Sequence, residues 1–259
     1  MATFAPALSE SSDHFPRDDV RRMSELEEAH FWFLARNELI LWAIARYFPG
    51  ARTLLEIGCG TGIVLSRIRA DLPELSLTGA DLLPEALDVA QKRAPEVTFA
   101  QVDIRQLPYV DEFDVVCALD VLEHIDEDAL ALEQIALALR PGGGVIITVP
   151  QHMWLWSAGD EYGRHRRRYS RRALLRQLDE AGFDKVRVTS FVSLLLPIVA
   201  VSRFRNRRLA AGYDPFRELD LSRTLNRALQ HVMSLERRLI CSGVSLSAGS
   251  SLAVVGRKR

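Results

Sequence analysis

Lysine is scarce in this chain: of 33 basic residues only Lys92, Lys185 and Lys258 are lysines, and the rest are arginines. A bias spread over the whole length reflects composition, so a local arginine cluster says less here than it would elsewhere. Charge of one sign is missing too. The 33 basic and 34 acidic residues leave a formal net charge of −1, without the basic excess that marks a nucleic-acid binder. Cysteine is limited to Cys59, Cys117 and Cys241, with no CxxC pair and no zinc-ligand spacing. That argues against a disulfide framework and for reduced thiols in a cytoplasmic protein. The opening MATFAPALSESSDHFPRDD is polar and acidic, which predicts no secretory signal. No apolar run reaches the roughly 18–20 residues that span a bilayer. The nearest candidate, Phe191 to Val201, is shorter and contains Pro197.

What is present alternates. Residues 1–18 read as a flexible arm and 19–50 as a helical cap. Within the cap the pattern predicts two helices broken near His30–Phe33, ended by Pro49-Gly50,. Short β-rich runs then follow at Thr53–Ile57, Leu75–Ala80, Val97–Gln101, Phe113–Leu119 and Val145–Val149. Amphipathic stretches separate them, near Gly62–Ala70, Pro84–Arg93 and Asp126–Leu139, the last with Asp126 as its expected N-cap,. A helix at Ser170–Ala181, a strand near Lys185–Ser190, a helix at Arg217–Ile240 and a final strand at Ser251–Val255 complete the reading. Such alternation implies βαβ crossovers and a parallel sheet buried on both faces. The expectation is an α/β domain over 51–259: a doubly wound, mostly parallel, seven-stranded sheet with helices on both faces. It carries an N-terminal helical lid and, over 192–247, an inserted helical segment before the last strand.

The most informative segment is LLEIGCGTG, Leu54 to Gly62. An apolar strand runs into three alternating glycines, Gly58, Gly60 and Gly62, and a helix follows at once. Glycines serve where the chain turns sharply and a ligand meets bare backbone, and the helix N-terminus favours an anionic group. A dinucleotide GxGxxG loop would want a small residue at Ile63 and needs no acid before the glycines. Here Glu56 stands two residues ahead of Gly58. The E-x-G-x-G-x-G form resembles the first motif of class I S-adenosylmethionine-dependent methyltransferases, a Rossmann-like family. Further matches line up in order: Asp81 at the end of LTGADL, Asp103 after FAQV, ALDVLEHI, and LRPGGG. The resemblance covers about residues 50–150 strongly and 160–190 moderately, nearest to the small-molecule and ubiquinone-pathway O-methyltransferases. It implies S-adenosyl-L-methionine as cofactor. Glu56, Gly58, Cys59, Gly60 and Gly62 would line its methionine half, Asp81 and Leu82 its ribose, Asp103 and Ile104 its adenine, with Leu119 along the donor. Arg36, beside the HFWF cluster, would approach its carboxylate from a lid.

Candidates for the chemistry are Asp120, His124 and His165. DVLEHI is similar to a stretch that in ubiquinone-pathway relatives is connected with a divalent metal, but the shorter Asp120 weakens that reading and no metal is expected. His165 lies in GDEYGRHRRRYS, similar to a family stretch bordering the acceptor pocket. The leading function is O-methylation of a small molecule or lipid-linked acceptor by in-line transfer. The alternatives are a tRNA or rRNA methyltransferase using the Arg164–Arg172 cluster, and a non-catalytic cofactor-binding scaffold. The apolar run Phe191–Val201 stands directly before Arg203, Arg205, Arg207 and Arg208. That arrangement suits peripheral contact of 191–208 with the inner face of a membrane. Nucleic acid is not expected as a partner, and the oligomeric state stays open.

Overall fold

The computed structural model describes residues 2–3, 17–207, 213–214 and 216–259. The apolar runs form the strands β2 (Thr53–Ile57), β3 (Ser76–Asp81), β4 (Thr98–Gln101), β5 (Phe113–Leu119), β6 (Leu139–Pro150), β7 (Phe183–Phe191) and β8 (Ser251–Lys258). Leu54, Leu55, Val115, Val116, Cys117, Ile147 and Val254 are all fully buried, as strands covered on both faces require. With β1 (Ala2–Thr3) at one edge, the sheet order is β1-β4-β3-β2-β5-β6-β8-β7. Pairing is parallel up to β6 and antiparallel where β8 inserts between β6 and β7.

The eighth strand was not anticipated. β1 is only Ala2–Thr3, and it pairs parallel with Ala100 and Gln101 at the sheet edge. Residues 1 and 4–16 of the expected arm lie outside the described residues.

Helices α1 (Arg17–Glu27) and α2 (Phe31–Tyr47) form the cap. The break falls where expected because His30, extended at φ −71° and ψ 132°, caps α2: its Nδ1 accepts the Trp32 N–H at 3.3 Å. α2, α3 (Ile63–Asp71) and α4 (Pro84–Arg93) cover one face of the sheet, packing Ile40, Ile44, Leu65, Ile68 and Leu87 against β2 and β3. α5 (Asp128–Ala138) and α7 (Arg171–Glu180) cover the other. Ser170 caps α7 as expected, accepting the Ala173 N–H at 3.1 Å. Asp126 does not cap α5. Glu127 holds that position and gives no side-chain bond.

α6 is the short helix Ala158–Tyr162. The insertion between β7 and β8 holds α8 (Leu196–Arg205), α9 (Phe216–Leu219) and α10 (Arg223–Cys241). Pro197 sits in the first turn of α8, where its missing N–H leaves no gap,. The helix expected over Arg217–Ile240 is thus two pieces, because Ser222 starts a new helix by accepting the Leu225 N–H at 3.3 Å. α10 packs along α2 in a third core with Leu39, Phe191, Met233 and Ile240.

Candidate active site

The strand order reverses between β2 and β5, neighbours that run parallel and end on the same side of the sheet. Open α/β sheets bind ligands in that crevice. β2 runs into the glycine loop, whose Gly58, Gly60 and Gly62 hold φ of +67°, +51° and +73°. A Cβ on Gly62 would stand 2.9 Å from the Ala90 Cβ of α4, so close helix packing as well as left-handed backbone demands glycine there. The Cys59 N–H donates to Ala80 O at 3.1 Å and the Gly60 N–H to Asp81 Oδ2 at 2.8 Å. The other Asp81 oxygen accepts the Leu83 N–H at 2.9 Å. Asp81 therefore stands at the strand end as expected and also ties the loop down.

Glu56, next to last in β2, is only 2% exposed. Burial pushes its carboxyl up to about 8, against the pull of Arg36 and with Glu27 and Asp81 adding to the rise. Its Oε2 is buried without a hydrogen-bond partner. Arg36 arrives from α2, donating to Asp120 Oδ2 at 2.8 Å, with the Trp32 ring 4.8 Å from its guanidinium carbon. Its Nε is likewise buried and unpartnered. A buried carboxyl and a buried guanidinium, each with a spare polar atom beside a glycine loop, suit the ammonium and carboxylate of an amino acid. The methionine end of S-adenosylmethionine fits this donor set.

Asp103 caps a short 3-10 turn, Ile104–Gln106. Burial would raise its carboxyl, but Arg105 holds it below the usual range, donating to Oδ2 at 2.7 and 3.0 Å and to Oδ1 at 3.1 Å. An adenine amine would share that carboxylate with Arg105, a pairing the sequence reading did not foresee. Ile104 is buried beside it, and Leu119 is buried at the end of β5. Glu27 was also missed. It ends α1, accepts a hydrogen bond from the Thr61 hydroxyl in the glycine loop, and lies 3.3 Å from Arg93. In sequence it is one acid among several in SELEEAH, with nothing to separate it from a solvated face.

Beyond β5, Asp120 adopts φ +56° and donates its N–H to Thr148 O at 2.9 Å. Its carboxylate is committed to Arg36, so Asp120 sets the guanidinium rather than presenting a free base. The next turn, Leu122–His124, buries Glu123 almost completely, and burial raises its carboxyl well above the usual value. His124 is held at about 4 by burial and by the neighbouring His165, while its ring donates to the Gly163 carbonyl. The two imidazoles meet edge to face, centroids 4.7 Å apart.

His165 Nδ1 lies 2.9 Å from Asp160 Oδ1. Asp160, on α6, is fully buried and accepts from the Ser157 N–H at 2.9 Å and from Arg168 at 2.7 and 3.1 Å. Against the opposing effect of burial, the bonds from His165 and Arg168 hold its carboxyl far below the usual range. A charged Asp160 selects the Nδ1–H tautomer of His165 and leaves the Nε2 lone pair for a substrate. One ligand atom each from Glu123, His124 and His165 lie within 4.8 Å of one another, a carboxylate and two imidazoles able to hold a divalent ion. A cavity of about 400 Å³ opens between the aromatics of α2 and this cluster, lined by Trp32, Phe33, Asp120, His124, His165 and Arg203 among others.

Comparison with known proteins agrees with this geometry. The methyltransferase domain family matches residues 15–188, from α1 through most of β7. A ubiquinone biosynthesis O-methyltransferase of Alkalilimnicola ehrlichii is 34% identical over 120 residues, 43% of this chain and 48% of that protein. A dTDP-4-amino-2,3,4,6-tetradeoxy-D-glucose N,N-dimethyltransferase of Saccharopolyspora spinosa is 27% identical over 57% of this chain and 60% of its own length. The chain thus spans about half to three fifths of these two relatives. At the level of fold, a methyltransferase solved with the Haloferax volcanii Trm112 activator superposes with a TM-score of 0.61. That pair is 20% identical, covering 95% of this chain and 99% of the other. The chain belongs to the class I S-adenosylmethionine-dependent methyltransferases, with S-adenosylmethionine as its cofactor.

Proposed function

We propose that this chain transfers a methyl group to an oxygen of a small or lipid-linked acceptor held between the α2 aromatics and His165. The observation that carries this reading is the Asp160–His165 pair opening onto the cavity beside the cofactor crevice. An amine acceptor brings its own lone pair, whereas a hydroxyl benefits from a base. When bound, S-adenosylmethionine supplies an electrophilic methyl on a sulfonium. Glu56 and Arg36 hold the amino-acid end, Asp81 the ribose, and Asp103, shared with Arg105, the adenine edge. The acceptor lies against Trp32 and Phe33, which exclude water and orient it for in-line attack. His165 Nε2 takes the hydroxyl proton, and the Asp160 carboxylate stabilises the resulting imidazolium. His124, kept neutral by burial, donates to Gly163 and packs the His165 ring.

A second reading is favoured by the Glu123–His124–His165 cluster: a divalent ion there would acidify the acceptor hydroxyl in place of a free base,. The RNA alternative is weakened by where the arginines go. Arg167 pairs with Asp128 at 2.8 Å, Arg168 is buried on Asp160, and Arg171 donates to Leu246 O. A scaffold would have no use for a buried, unpartnered Glu56.

The test is S-adenosylhomocysteine release across phenols, carboxylic acids, polyprenyl-linked hydroxyls and amines. His165→Ala should lower turnover on the accepted hydroxyl by about 10²–10⁴-fold while S-adenosylhomocysteine affinity stays within about twofold. Methylation of amines alone would sink the oxygen reading. Loss of activity in EDTA, restored by a divalent metal, would put the ion ahead of the base.

A further inference from the structure

The segment 191–208 lies beyond the residues that match the family, and only part of it belongs to the site. α8 contributes no fully buried residue although it is largely apolar. One side faces inward: Val199, Ser202 and Arg203 line the acceptor cavity, and Arg203 is tied to the Ser157 hydroxyl with Asp160 3.7 Å away. The other side faces out. Ile198, Val201 and Phe204 are 63%, 60% and 48% exposed, spaced so that they share a helical face, and Leu194 in the turn before the helix is 42% exposed,. Trp154, 47% exposed, stacks on Phe204 with centroids 6.4 Å apart, and Met153 beside it is 55% exposed. The patch therefore joins two segments distant in sequence. Arg205 and Arg207 are exposed at its border, with the Arg207 guanidinium 4.0 Å over the Phe204 ring. No acidic residue occurs between Asp184 and Asp214.

We infer that α8 and the Met153–Trp154 turn form a membrane-surface anchor for anionic lipid, placed against the mouth of the acceptor cavity; this deepens the lipid-linked acceptor reading and rests on it. A contiguous apolar face bordered by Arg205 and Arg207 complements an anionic bilayer surface, and an interfacial Trp suits the headgroup level,. No helix among the described residues is long and apolar enough to cross a membrane, so α8 would lie in the surface plane. Its inner side would then meet the acceptor's polar head while its outer side rests among acyl chains. The cation set differs from the sequence expectation. Arg203 is turned inward onto Asp160, and Arg208 lies outside the described residues.

Vesicle co-sedimentation of the full chain decides it. With equimolar phosphatidylcholine and phosphatidylglycerol at low salt the protein should pellet, and about 0.5 M salt should release most of it, where screening is short-ranged. A variant combining Ile198→Ser, Val201→Ser and Phe204→Ser should partition at least about tenfold less. Arg205→Ser with Arg207→Ser should remove the salt-sensitive part. Both variants should bind S-adenosylhomocysteine like the parent, which shows that the fold and the methyltransferase reading stand whatever the vesicles report. Three results overturn the anchor: a parent that stays in the supernatant, an Ile198/Val201/Phe204 variant that pellets equally, or a concentration-dependent dimer abolished by that variant. The last would mean that a second copy covers the patch.

Discussion

Glu56 is the residue whose physics is most exposed to test. Its folded carboxyl titrates near 8 against an ordinary 4.5. Between those values the folded chain keeps a proton that the unfolded chain has lost. Stability from this group is therefore greatest at acid pH and falls as pH rises from about 4.5 to about 8. Glu56→Gln should flatten that slope in urea melts taken across the range. An ammonium placed beside Glu56 would favour its charged form, so cofactor binding near pH 7 should expel a proton. Calorimetry in buffers of different ionisation enthalpy should show proton release for the parent and a smaller release for Glu56→Gln. Equal release in both would remove Glu56 from the methionine site.

At the scale of elements the turn between α1 and α2 is where the pieces meet. α2 starts at His30, whose ring burial holds near 4, so it stays neutral and can accept the Trp32 N–H. α10 fastens the same turn from outside. Asn226 Oδ1 accepts the Phe31 N–H at 2.9 Å, and the Asn226 and Gln230 amides donate to Ala29 O at 2.8 and 3.2 Å. An inserted helix thus fixes the helix that carries Trp32, Phe33 and Arg36. The His30 contribution is present above its ordinary value of 6.5 and is lost as pH falls toward 4,. Amide exchange in the first turn of α2 should accelerate over that window, relative to α3, in the parent. His30→Asn, which can still cap, should show no such acceleration. Equal pH response in both would mean that the turn is set by α10 alone.

The whole molecule is built around a shared crevice: the glycine loop, the end of β5, α1 through Glu27 and α2 through Arg36 all reach it. A ligand held by all four should stabilise the folded state without binding the unfolded chain. At a hundred times its dissociation constant S-adenosylhomocysteine should add about 2.7 kcal/mol. For a chain of this size that corresponds to a rise in Tm of roughly 5–10 °C. Scanning calorimetry should record the shift as one transition, since cap and sheet share two of the three cores. Two transitions, only one of them moving with ligand, would show that the cap folds separately.

The sheet, the glycine loop and the acids at the strand ends were legible in sequence because each is a local requirement. A strand needs continuous apolar residues, a left-handed turn needs glycine, and Asp81 ends its strand while Asp103 follows its own by two residues. So was the break at His30. The pairings of the site were not. Arg36 on Asp120 and Glu27 on Thr61 join segments far apart along the chain, and any of the chain's many arginines and acids would have served the pattern equally. Asp160 looks in sequence like one charge in a polar loop. Only packing buries it under Arg168 and turns it toward His165. The apolar run of 191–201 told that an unusual segment was there, and its composition alone fitted a buried helix as well as a surface one. Which side of α8 faces outward, with Trp154 beside Phe204, was decided by how the insertion docks on the sheet, since burial is a property of neighbours and not of sequence.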